Sequence, residues 1–147
     1  MIEDSIENFI LNYKTYATDI KVLAKTEGSP LLEAYVNNTV IHLFERTGPY
    51  KARVGMARAI INPSAIEYEP NPQSLRELKV LAISKIEAKG LVLERDEKSI
   101  ILDAGLPLVF SCLKEAPDDI VAGDWITIVS DSPLHGFVLA SNKGAEL

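Results

Sequence analysis

From Ile6 onward the apolar positions fall at Phe9, Ile10, Tyr13, Ala17, Ile20 and Leu23 or Ala24, steps of three and four that predict an amphipathic helix. Asp4 or Ser5 supplies a cap, Glu7 puts negative charge in the first turn, and Lys21 and Lys25 stand near the other end. Gly28 stops this helix. Ser29-Pro30 is a cap followed by proline at a first helical position, so a second short helix is predicted from Pro30, carrying Leu31, Leu32, Tyr35 and Val36. Thr39 to Phe44 is β-branched and aromatic and follows the turn pair Asn37-Asn38, which predicts a strand. A helix continued from Pro30 to Arg46 fits the stripe Val36, Val40, Leu43 and Phe44 as well, and periodicity leaves both readings open. Thr47-Gly48-Pro49 breaks the chain, and 51–61 reads as a strand or a short helix before Asn62-Pro63-Ser64 interrupts it.

Two prolines in Glu69-Pro70-Asn71-Pro72-Gln73 block a regular helix and a central strand, which makes this segment the candidate linker. Beyond it the texture changes to short apolar runs: Leu78–Ile86, Gly90–Glu94, Ser99–Leu102, Leu108–Leu113, Trp125–Val129 and Gly136–Ala140. Arg95-Asp96-Glu97-Lys98 reads as a charged hairpin connection, and Ala122-Gly123-Asp124 as a turn feeding Trp125. Short strands in so short a stretch bury a face by curling or by packing under a helix. The expected class is α+β: an N-terminal amphipathic helix or helices, with a mostly antiparallel, strongly curved sheet or small β-barrel in the C-terminal half. The corresponding division is 1–69, helical and mixed, and 74–147, β-rich, with one compact domain as the alternative. No repeat at a solenoid or propeller period is visible.

Composition narrows the function classes. The 147 residues are 47% hydrophobic and 24% charged, as in soluble globular proteins, and a net charge of −6 opposes general attachment to nucleic acid or anionic lipid. No uncharged stretch reaches a bilayer-spanning length, and the acidic start Met1-Ile2-Glu3-Asp4 differs from a basic secretory signal. The expectation is a cytoplasmic protein with no membrane association. The single cysteine, Cys112, excludes an intrachain disulfide and a multi-thiolate metal site; its neighbours Leu108 and Phe110 make it a core residue.

Walker, dinucleotide-binding, zinc-protease and nucleophile-elbow motifs are all absent, and no cofactor or metal is expected. His42 and His135 are the two imidazoles. In Asp131-Ser132-Pro133-Leu134-His135 a loop would let Asp131 orient His135, with Ser130 or Ser132 as nucleophile, and these are the candidate catalytic residues for a small hydrolase or transferase. A metal on His135 and Asp131 with Asp124, Asp103 or Asp119 would hold only one imidazole, short of an ordinary zinc set.

The clearest charge asymmetry is the run Arg46, Lys51, Arg53 and Arg58, with Tyr50 among them and no acid before Glu67. An aromatic beside cations suits partner or anion binding. Small five-stranded barrels include oligonucleotide-binding modules, but Phe110, Trp125 and Phe137 read as core residues, so a protein partner is favoured over nucleic acid. The sequence therefore points to a non-catalytic intracellular protein-interaction, regulatory or assembly domain, contacting its partner through Arg46–Arg58 or a strand edge that also permits self-association. The alternatives are a nucleic-acid module on the same basic segment and the His135 enzyme.

Overall fold

The computed structural model describes residues 2–23, 31–47, 54–112 and 118–139. One helix, α1 (Ile2–Tyr13), is followed by a short 3-10 turn (Lys14–Tyr16). Among the described residues nine strands then form one mixed sheet: β1 (Thr18–Val22), β2 (Leu32–Val36), β3 (Thr39–Glu45), β4 (Gly55–Pro70), β5 (Glu77–Ala82), β6 (Lys85–Arg95), β7 (Ser99–Asp103), β8 (Pro107–Cys112) and β9 (Trp125–Val138).

Of the expected N-terminal helix or helices one forms, and the expectation of a sheet confined to the C-terminal half is corrected. The first helix stops at Tyr13, and Asp4 and Ser5 lie inside it. Ile20 fits both a helical stripe and an alternation in which Ile20 and Val22 turn in while Asp19 and Lys21 turn out. Alternation prevails because β1 pairs on both sides, with β2 and with β4. The helix expected from Pro30 is replaced over Leu32–Val36 by β2, where Leu32, Ala34 and Val36 are buried. Asn37 and Asn38 both take left-handed φ, 52° and 66°, the requirement of a tight hairpin turn into β3. The choice between helix and strand over 39–44 falls to strand.

Asn62-Pro63-Ser64 interrupts only the register: β4 runs through it with a bulge and continues to Pro70. Asn71 makes the following turn by receiving the Leu75 N–H on Oδ1 and donating Nδ2 to the Leu75 carbonyl. The run 78–86, expected as one strand, folds into the β5–β6 hairpin. The 95–98 hairpin forms as expected, with the Asp96 carboxylate receiving the Lys98 and Ser99 N–H groups.

The sequence shows no repeat, yet one strand plan occurs twice. A three-strand meander, β1–β2–β3, leads to the long strand β4; a second meander, β6–β7–β8, leads to the long strand β9. The first part of β4 pairs antiparallel with β1 and its middle lies parallel to β8. Reciprocally, the first part of β9 pairs antiparallel with β6 and its second part lies parallel to β3. The two long strands also pair with each other along most of their length. The sheet thus curls back on both sides of β4 and β9 and is roughly barrel-like. It is not closed, because the parallel seams are only two and three residue pairs long and β5 remains at the edge.

Side chains complete both seams. Asn62 Nδ2 donates to the Val109 carbonyl at 2.6 Å and to Ser111 Oγ at 2.9 Å, joining β4 to β8. Ser84, buried in the β5–β6 turn, donates to the His42 carbonyl and receives the Leu134 N–H, joining β3 to β9. The main core mixes both meanders, from Ile20, Ile41 and Leu43 to Ile100, Leu108, Phe110 and Ile128. A second cluster lies outside the sheet, where α1 sets Phe9, Ile10 and Tyr13 over Ile60, Ile101, Val109 and Phe137. Phe9 stacks on Phe137 with ring centroids 4.3 Å apart. Among the described residues no helix is long and apolar enough to cross a membrane.

Candidate binding face on the outer side of the first meander

Strands β1, β2 and β3 alternate, so Leu32, Ala34, Ile41 and Leu43 fill the core and their neighbours point outward. Register sets Met56, Lys21, Tyr35 and Val40 in one row across β4, β1, β2 and β3. Further along β3, Phe44 lies opposite His135 of β9, with ring centroids 6.0 Å apart and planes tilted by 54°. Met56, Tyr35, Val40 and Phe44 are all exposed, large apolar side chains of the kind that mark an interaction surface when they share one face. Lys21 stands in the row, and Arg46 leaves the end of β3, its N–H bonded to the Gly136 carbonyl at 2.8 Å.

The corresponding place on the second meander is sealed. The outward pair Ile101 and Val109 lies under α1 and is 3% and 0% exposed, whereas the outward pair Tyr35 and Val40 is 43% and 37% exposed. The same strand plan therefore has one face covered by a helix and its counterpart open.

Burial lowers the pKa of His135 below its ordinary value, and the nearby Arg46 charge adds to the effect. The unfolded chain binds that proton more readily, so folding stability declines as pH falls below about 6.5. Urea midpoints at neutral and acidic pH should differ less in His135→Gln than in the unsubstituted chain; an unchanged difference would show that the ring carries no such penalty.

The residues of the expected acid–base pair are placed separately. Asp131 is exposed and receives the Ser132 N–H, and no hydrogen bond links it to His135 among the described residues. Ser130 is fully buried, its Oγ receiving the Ile86 N–H at 3.0 Å. Ser132 Oγ donates to the Ile83 carbonyl at 3.4 Å.

Of the expected partner-binding residues, Arg46 borders the open face. Tyr50, Lys51 and Arg53 lie outside the described residues. Arg58 is engaged within the fold: it pairs with Asp19 at 2.7 Å and donates to the Ala17 carbonyl at 2.8 Å, tying β4 to the start of β1. Replacing it would disturb that junction as well as any partner contact.

The apolar members of the face, Tyr35, Val40, Phe44 and Met56, carried no assigned role in the sequence. A signal existed in β3: Thr39-Val40-Ile41-His42-Leu43-Phe44 places large apolar groups on both alternating sets, more than a strand covered on one side needs.

The described residues also line hollows elsewhere on the molecule. One, about 700 Å³, opens between α1 and the β7–β8 edge and is lined by Phe9, Tyr13, Asp96, Ser99, Ser111 and Cys112. There the Tyr13 hydroxyl donates to the Asp96 carboxylate and receives the Ser99 hydroxyl, and burial raises its pKa. Another, about 430 Å³, lies beside Tyr68, Ile120, Asp124 and Trp125. The Arg76 guanidinium sits 4.8 Å over the Trp125 ring and pairs with Asp103.

No protein-family model, curated protein or solved structure matches this chain.

Proposed function

We propose that the chain is a non-catalytic protein-interaction module that docks an amphipathic, acid-bearing helix of a protein partner on the outward face of β1, β2 and β3. The observation that carries this reading is the openness of Tyr35 and Val40 at the place where α1 seals Ile101 and Val109 on the other meander. The covering element there is itself an amphipathic helix that contains Glu3, Asp4 and Glu7 and no basic residue. Lys21 and Arg46 at the open face complement such charges, and Tyr35, Val40 and Phe44 supply the apolar contact.

The test uses a labelled peptide with the sequence of residues 2–16, titrated against the full chain. Val40→Ser and Phe44→Ser should each weaken its binding about tenfold, the loss of roughly one well-buried apolar anchor, while leaving the thermal transition in place. A peptide that fails to bind, or binds both variants as well as the parent, would overturn the assignment. So would preferential, strongly salt-sensitive capture of single-stranded oligonucleotide at the same side chains, the signature of phosphate contacts.

A further inference from the structure

β5 stands outside the twice-used strand plan. It ends the strand order, and among the described residues it pairs with β6 alone, so its other edge presents a row of backbone donors and acceptors. Five of its six residues are exposed, Val80 by 38% and Leu81 by 43%, and Ile83 just beyond is 68% exposed. No proline guards this edge, and its charges are not arranged to repel a second strand. Glu77 faces Lys89 of β6, and Lys79 faces Glu87, while Leu78 faces Ala88 and Val80 faces Ile86. One side of the hairpin is therefore a ladder of opposite charges and the other is apolar.

We propose that two copies of the chain pair antiparallel through β5, in the register that sets Leu78 opposite Leu78 of the second copy. A two-fold axis through a continuous sheet keeps like faces together, so the register is fixed by the residue on the axis. With Leu78 there, Glu77 meets the second copy's Lys79 and Lys79 meets its Glu77. The charge rows then alternate across four strands as Lys89, Glu77, Lys79 and Glu87, and a row of Ala88 and Leu78 runs alongside them. With Lys79 on the axis, two ammonium groups would oppose each other. With Val80 there, Lys79 would meet Leu81 and Glu77 would meet Ile83. The register irregularity between Val80 and Ala82 also ends the regular ladder of β5 on that side, leaving its regular part centred near Leu78. This dimer is independent of the helix-docking face, which lies on other strands.

Sedimentation of the full chain should show a monomer–dimer equilibrium that shifts toward dimer as the concentration rises. Glu77→Lys sets two lysines against each other at both ends of the pairing, and Lys79→Glu does the same with two glutamates. Each variant alone should dimerise about tenfold more weakly, the scale of two like-charge cross-strand pairs. An equimolar mixture of the two restores both opposite-charge contacts and should recover the parent affinity. Thermal melts of each variant confirm that it is folded. A parent chain that stays monomeric overturns the proposal, as do single variants that dimerise normally or folded variants that fail to pair when mixed.

Discussion

Gly90→Ala should destabilise the fold by about 3 kcal/mol, the upper end for forcing one methyl into a packed interior. A Cβ built at Gly90 would lie 2.1 Å from the Asp103 carbonyl oxygen, 2.7 Å from its carbon and 3.1 Å from Ala104 Cα. All three are backbone atoms, so no side chain can swing aside. The strand cannot retreat either, because β6 is held on its other side by β9, where Gly90 is opposite Ile126. Crowding rather than backbone conformation explains this glycine. Gly123→Ala is the contrasting substitution: its φ of 97° is the left-handed kind, but a Cβ there meets nothing within 4 Å. Its cost should be nearer 1 kcal/mol. Urea unfolding of the two variants separates the mechanisms, and a loss below about 1 kcal/mol for Gly90→Ala would contradict the close approach of β6 and β7.

Asn62→Ala should cost about 2 kcal/mol, because it strips a buried seam of its donor. Asn62 is 6% exposed and lies just before the point where β4 and β8 come into parallel register at Ser64 and Ser111. Its amide spans that opening by donating to the Val109 carbonyl and to Ser111 Oγ. Alanine would leave both acceptors without that partner and open a void between the strands. Ser111→Ala removes only one of the two contacts and should cost less, about 1 kcal/mol. Equal losses in the two variants would show that the Val109 contact contributes nothing, against the bridging role of Asn62.

Local chemistry made several elements legible in the sequence. The Asn37-Asn38 turn, the charged 95–98 hairpin and the Gly123 turn each rest on residues whose preferences act over a few positions, and each formed where expected. Where two periodicities overlapped, as at Ile20, partners distant in sequence decided between them. The length of β4 was hidden for a similar reason. Pro63 reads as a breaker, yet a bulge accommodates it because the flanking residues pair with β9, and those beyond it also with β8. The exchange of the long strands between the two meanders has no local signature at all. Nor does the approach of Phe44 and Arg46 to His135, which depends on the parallel seam between β3 and β9. Arg46 and His135 stood out individually as a cation and an imidazole. Their common neighbourhood, and the apolar face beside them, became readable only through register.

Helix docking on the outer face of the first meander is tested most directly by NMR of the full chain during titration with the peptide of residues 2–16. Shift changes should cluster at Tyr35, Val40, Phe44 and His135, leaving Ile101 and Val109 unmoved beneath α1. Changes confined to Ile101 and Val109 would mean that the peptide merely replaces the chain's own helix; either that result or an unchanged spectrum would contradict the outer face of the first meander as a helix-docking site.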